Sequence, residues 1–273
     1  MSDTSPRRSR NFSVTELPGF STIAIVVFVL LYAPILTLVL YSFNAGLSPS
    51  DWEGWSLNWY RIAWQNDEVK SATIISLQVA TATAVLSTIL ATMAALGTTR
   101  RKAFPGQTLI YVMINQPLMV PEIVTAVALL LVFAMVKKIT GYTGLGYMVL
   151  AHSAFCVPFA YLPIRARLEG MDLTLETAAA DLYANSWQTF RRVTLPLLLP
   201  AIFAGAMLAF VTSLDDVVIT EFIKSPGQDT LPTYMLGQLR RSMKPDVNAI
   251  STGLLALTLI LLSAFFLLSK KKN

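Results

Sequence analysis

Six long apolar blocks divide this chain, at 20–42, 71–97, 107–136, 143–163, 197–222 and 248–268. Each approaches or exceeds the roughly 20 apolar residues a helix needs to cross the hydrocarbon of a bilayer. A soluble core would interrupt such blocks with polar faces, and these are not so interrupted. The blocks differ in texture. The second is rich in Ser76, Thr81, Thr83, Ser87, Thr88 and Thr92, which predicts close packing against neighbouring helices instead of lipid all round. The third carries Pro117 and Pro121. Each proline removes a backbone donor, so a kink or break is predicted where protein or water satisfies the freed carbonyls.

Two connections are longer than turns. Segment 43–70 holds Trp52, Trp55, Trp59, Tyr60 and Trp64. These rings either form an interfacial belt or meet an external partner, with Trp55, Trp59 and Tyr60 as the candidates. Segment 164–196 predicts two short helices. Asp172 can cap the first, and Asn185 with Gln188 three residues on is a capping-box signal for the second.

Composition agrees with membrane residence. Of 273 residues 54% are hydrophobic and 14% charged, with mean hydropathy +0.58; soluble domains carry about 25% charged residues. The pattern predicts an all-α, six-span membrane protein. The net charge of +5 comes from short basic clusters beside apolar runs, which suit anionic lipid and orientation in the bilayer, not nucleic acid. A cytoplasmic N-terminus puts Arg7, Arg8, Arg10, Arg100, Arg101, Lys102, Arg165, Arg167, Arg191, Arg192 and Lys270 to Lys272 inside. Arg61, Lys70, Lys137, Lys138, Lys224, Arg240, Arg241 and Lys244 then lie outside. The excess is inside, and an even number of spans returns the C-terminus to the cytoplasm. Residues 1–19 and 269–273 are then cytoplasmic tails flanking one domain, 20–268. The first block is long enough to span and no small-residue cleavage site follows it, so a retained anchor is predicted.

The chemistry available is limited. Cys156 and His152 are the only residues of their types, so no intrachain disulfide or thiolate metal site can form. Cys156 reads as a buried small hydrophobe and His152 as a packing or pore-adjacent group. No GxxxxGK[ST] phosphate loop occurs. What stands out is acid inside the blocks, where a charge costs about 2.5–3.5 kcal/mol on insertion scales. Glu122 follows Pro121 and shares a helical face with Asn115 and Thr125. Ser213, Asp216 and Thr220 follow i, i+3, i+7 spacing, so Asp216 is expected to face a cavity. Asp215, about 100° away, is expected to pair with another helix or cap a break. No evident lysine or arginine within the blocks answers these acids. Either they are protonated or paired with an arginine of a partner chain, or a cationic substrate meets them. A polyamine, with ammonium groups separated by methylenes, fits carboxylates and apolar walls alike.

The cytoplasmic segment carries a specific resemblance. Thr177-Ala178-Ala179-x-Asp181-Leu182-Tyr183-Ala184, nine residues after Tyr183, then Val193-x-Leu195-Pro196, resembles the EAA loop of ABC importer permeases. That motif reads EAA, three residues, Gly, nine residues, Ile-x-Leu-Pro. Thr177 stands where Glu is usual, with Glu176 one residue early, and Tyr183 stands where Gly is usual. Tyr41-Ser42-Phe43-Asn44, Trp59-Tyr60, Pro121-Glu122-Ile123-Val124, Ser213-Leu214-Asp215-Asp216-Val217-Val218, Leu231-Pro232 and Pro245-Asp246-Val247-Asn248-Ala249 extend the likeness over nearly the whole chain. They are similar to the spermidine/putrescine permeases, most closely to the second permease of the pair.

The resemblance implies the type I importer permease architecture and a transport subunit, not an enzyme. It implies a second homologous permease, two ATPase subunits that bind ATP and magnesium, and a periplasmic substrate-binding protein, at the bacterial inner membrane. It further implies a coupling loop at Glu176 through Pro196, and a substrate path past Glu122, Ser213, Asp215 and Asp216. Within the same role an opine, an amino-acid derivative or ferric iron are alternative substrates. An ATP-independent cation or proton-coupled transporter is the alternative from another class.

Overall fold

The computed structural model describes residues 20–48, 51–100, 103–241 and 245–270. The expected tail 1–19 with Arg7, Arg8 and Arg10, and the basic residues Arg101, Lys102, Lys244, Lys271 and Lys272, lie outside the described residues. The regular secondary structure of the described residues is helical, apart from one isolated antiparallel bridge between Asn44 and Trp55. In order the helices are α1 (Phe20–Tyr41), α2 (Asn58–Gln65), α3 (Asp67–Thr99), α4 (Gln107–Met119) and α5 (Glu122–Thr140). They continue with α6 (Gly146–Glu169), α7 (Thr174–Asp181), α8 (Ser186–Thr189), α9 (Leu195–Asp215), α10 (Val218–Ile223), α11 (Leu231–Arg241) and α12 (Asp246–Lys270). A single π-type turn, Phe190–Thr194, joins α8 to α9. Six helical stretches are long and apolar enough to span, one in each expected block.

The three central helices are α3, α6 and α9. Small side chains set their spacing. Ala84, Ala91 and Ala95 of α3, Cys156 and Ala160 of α6 and Ala209 of α9 are buried together with Tyr161, Ile164, Leu168 and Leu198. Without a hydrophobic drive between helices in lipid, such close backbone approach is what holds spans together. The tightest point is Gly205 on α9, where a Cβ would sit 2.8 Å from the carbonyl oxygen of Ala160. As the second block's composition predicts, α3 is a packing helix. The α1 helix is its opposite, apolar along its length and exposed from Ile23 to Leu36, with neighbours mainly on α12.

Two expected spans are not continuous. The 107–136 block breaks at Val120–Pro121, although Pro117 is accommodated inside α4. The 197–222 block breaks at Asp216–Val217, where no Pro or Gly marks the sequence. The connection 43–70 contains α2, and the segment after α10 contains α11. Both are tied to the spans by side chains. Asn66 caps α3 by accepting from Glu68 N (2.9 Å) and also donates to the Tyr234 hydroxyl (3.2 Å). Ser76 accepts the first amide of α11, from Leu231, at 2.7 Å.

Candidate functional site

The two breaks meet. At the first, Val120 is extended (φ −97°, ψ 137°) and Pro121 has no N–H to lose. The Pro121 carbonyl then accepts from Val124 N at 2.9 Å to start α5. At the second, Asp216 takes φ −65°, ψ 131° and leaves the helix. Its carboxylate caps the next one, accepting from Thr220 N and Thr220 Oγ1 (both 2.8 Å) and from Ile219 N (3.3 Å). An aspartate ahead of the first turn is a preferred cap because it satisfies amides that have no helical acceptor. The α10 helix packs on α5, which brings Glu122, the first residue of α5, against Asp216.

His152 of α6 closes the cluster. Its Nδ1 is 2.8 Å from Ser213 Oγ and its Nε2 3.0 Å from Thr220 Oγ1 and 3.3 Å from Asp216 Oδ2. His152, Ser213, Asp216 and Thr220 are all buried. The spacing of Ser213, Asp216 and Thr220 therefore marks a real face, but that face is turned to α6 instead of to an open cavity. The helix opens at 216–217 without losing that face, and the break gives the capping role to Asp216. Asp216 caps the break and is enclosed, while Asp215 is exposed and Glu122 half-exposed. His152 is the functional-looking residue that periodicity missed, since one histidine in an apolar block carries no spacing signal. Asn115 no longer shares a face with Glu122: it sits on α4 and donates to Tyr111 O at 2.8 Å. Among the described residues no group of His, Cys, Asp or Glu is arranged to hold a metal.

On the face that carries α2 and α11, a cavity of about 890 Å³ is lined by Asp67, Glu68, Glu221, Lys224, Asp229 and Arg240 among others. Lys224 donates to Glu221 (2.6 Å) and Asp229 (2.7 Å). Burial disfavours its charge, but the hydrogen bonds to Asp229 and Glu221 outweigh that and hold its pKa above the ordinary lysine value. The aromatic candidates for an external contact separate here. Trp55 is exposed, Tyr60 is half-buried with its hydroxyl 2.7 Å from Ser42 Oγ, and Trp59 is buried. Trp59 belongs to the packing of α2 against the spans, so an external contact through it is not open in this conformation.

The opposite face carries segment 170–194. Asp172 Oδ1 accepts from Thr174 N (2.9 Å), and this amide holds the Asp172 carboxyl below the usual aspartate range. The α7 helix ends in a Schellman motif: Ala184 N donates to Ala179 O (3.0 Å) and Tyr183 N to Ala180 O (2.9 Å). That motif needs a left-handed residue, and Tyr183 supplies it at φ +60°, the only non-glycine with positive φ among the described residues. The turn is therefore built as glycine would build it, with tyrosine carrying the strain. Asn185 and Gln188 form the expected capping box, with Gln188 N to Asn185 Oδ1 at 2.9 Å and Asn185 N to Gln188 Oε1 at 3.0 Å.

Leu173, Leu175, Leu182, Tyr183 and Trp187 all project outward from this loop. Thr177, Ala178 and Asp181 are exposed with them, as is Pro196, while Ala179, Ala184 and Leu195 are half-buried. Thr177 Oγ1 turns back to Leu173 O (3.0 Å). Glu176 points the other way, to Arg100 Nε (3.1 Å) and Thr194 Oγ1 (3.1 Å). It therefore does not join Thr177 on the outer surface of the loop.

Comparison with known proteins gives this geometry a context. Residues 87–270 match the family model described as binding-protein-dependent transport system inner membrane component. The chain is 36% identical over 267 residues to the putrescine transport system permease protein PotI of Escherichia coli K12, covering 96% of this chain and 95% of that protein. It is 33% identical over 255 residues to the spermidine/putrescine transport system permease protein PotC of the same strain, covering 93% and 94%. Its fold matches a subunit of a bacterial ABC transporter involved in alginate import, with TM-score 0.71 at 15% identity over 92% of this chain and 94% of that one. The chain thus belongs to the inner-membrane components of binding-protein-dependent transport systems, as a multi-pass membrane protein with the fold of an ABC transporter subunit.

Proposed function

We propose that this permease carries polyamines, putrescine and spermidine, into the cell. The likeness to putrescine and spermidine/putrescine permeases over more than nine-tenths of the chain carries the reading. The carboxylates support it: Glu122 and Asp215 stay reachable where two spans are broken, and a broken span is tolerated in a bilayer only where it is buried in protein or lines a cavity. Asp216 and Ser213 contribute from behind, by fixing the break. An ammonium group would be held by the acids while its methylenes lie along apolar walls.

In this reading the chain is one domain, 20–268, between two cytoplasmic tails. It pairs with a second, homologous permease, and segment 172–196 seats on one of two ATPase subunits that bind ATP and magnesium. A periplasmic binding protein delivers substrate to the α2 and α11 face, beside the 890 Å³ cavity. Uptake of radiolabelled putrescine and spermidine by proteoliposomes containing the complete transporter tests the reading. ATP-dependent uptake through the binding protein is expected. Uptake of an opine or ferric iron in preference to both polyamines would overturn the substrate, and uptake by this chain without the ATPase would overturn the coupling.

A further inference from the structure

One ion pair at the cytoplasmic loop, Arg100 with Glu176, gathers the ends of all three central helices. Arg100 is the C-cap of α3, its own amide donating to Leu96 O at 3.0 Å. Its Nε donates to Glu176 Oε1 on α7 (3.1 Å) and its Nη1 to Leu168 O in the last turn of α6 (3.0 Å). The same Glu176 Oε1 accepts from Thr194 Oγ1 at the root of α9 (3.1 Å). The α7 helix has no buried residue of its own, so apolar packing does not hold it to the spans. The Arg100–Glu176 pair is what ties its side chains there. Its side chains are only 18% and 23% exposed, unlike the Lys70–Asp67 and Arg165–Glu169 pairs, which each join one helix to itself and are more exposed. A charge-assisted pair in that setting is directional and poorly screened by salt, and the arginine fork fixes two acceptors at once.

We propose that Arg100 and Glu176 are positioning residues that transmit displacement of the cytoplasmic loop to α3, α6 and α9 together. Partner-driven movement of α7 then pulls the three central helices as one body instead of merely flexing the linkers on either side of α7. This rests on the permease reading above, and Glu176 serves it by facing inward. Thr177 lies beside it on the outer surface.

The test uses the complete transporter in proteoliposomes, with putrescine uptake and ATP hydrolysis measured on the same preparation. Arg100→Gln and Glu176→Gln are each expected to lower transport per ATP hydrolysed by roughly ten-fold, with the ATPase subunits still copurifying. The double variant is expected to be no worse than either single, because both remove one interaction. Arg100→Lys, which can reach the carboxylate but not both acceptors, is expected to recover part of the loss. Thr194→Val removes only a hydroxyl and guards against misfolding; roughly a three-fold loss is expected. An unchanged ratio in both Gln variants, additive losses in the double, or loss of the ATPase subunits from the single variants would each overturn the proposal. Failure of the permease reading would be seen separately, as absent ATP-dependent uptake by the unaltered transporter.

Discussion

Replacing Tyr183 with glycine should strengthen the turn that ends α7. The residue sits at φ +60°, where a side chain crowds the following carbonyl at a cost of about 1–2 kcal/mol. Its ring is 96% exposed, so the isolated chain loses almost no packing with it. Glycine's extra freedom in the opened turn subtracts about 0.5–1 kcal/mol. The net gain is roughly 0.5–1 kcal/mol, a two- to five-fold shift in the local opening equilibrium. Hydrogen exchange on the purified chain in detergent reads it at the amides of Tyr183 and Ala184, which donate to Ala180 O and Ala179 O. Slower exchange by that factor is expected for Tyr183→Gly. Tyr183→Ala is the control, since alanine keeps the left-handed strain and should give little gain. Equal protection in both variants, or none in the glycine variant, would refute the strain argument. In the assembled transporter the sign should reverse if the exposed ring is a contact: Tyr183→Gly would then weaken copurification with the ATPase while still protecting the free loop.

Other consequences are as direct. Gly205→Ala puts a methyl 2.8 Å from the Ala160 carbonyl oxygen, a backbone neighbour that cannot rotate away. A loss of about 1–3 kcal/mol is expected, visible as a lower Tm in detergent, and an unchanged Tm would mean α6 and α9 do not pack this closely. Asn185→Ala deletes one half of the capping box and should cost about 0.5–2 kcal/mol of local stability, measured as faster exchange of the Gln188 amide. Asp216→Ala should destabilise the chain by about 1–3 kcal/mol, because it uncaps α10 and strips a buried partner from His152. Asp216→Asn keeps acceptor oxygen for the cap and should leave assembly intact, so comparing their Tm values separates capping from charge. Glu122→Gln should raise the KM for putrescine without impairing assembly; an unchanged KM would remove Glu122 from the path.

The long apolar blocks made the six spans legible, because only a bilayer rewards such runs. The capping box at Asn185 was legible for local reasons, being set by a few adjacent residues, whereas Tyr183 in the place of glycine did not show that the turn keeps its left-handed form. The break at Pro121 announced itself through the missing donor. The break at Asp216 did not: no proline marks it, and an aspartate reads as a span residue until its side chain is seen capping the next helix. The face of Ser213, Asp216 and Thr220 was legible, but not that it meets His152 instead of an open cavity or that Asp216, and not Asp215, caps the break. His152 was legible only as a packing or pore-adjacent group, since its partners are 61 and 68 residues away. Glu176 was legible as an off-pattern charge, but its inward direction depends on Arg100, 76 residues earlier.

The paired breaks have a mechanical consequence. A continuous helix resists bending because every turn must stretch its hydrogen bonds, whereas unwound backbone at 120–121 and 216–217 leaves two places where that resistance is interrupted. They lie side by side, since Glu122 meets Asp216, and so define an axle between two rows of helix. On one side α5 and α10 are packed together; on the other α9 is locked to α6 through Gly205 and to α3 through their alanines. Tilting one row against the other would deform few backbone bonds, the His152–Thr220 contact between α6 and α10 being the main tie across it, and the charges best placed to feel a passing cation would sit on the axle itself.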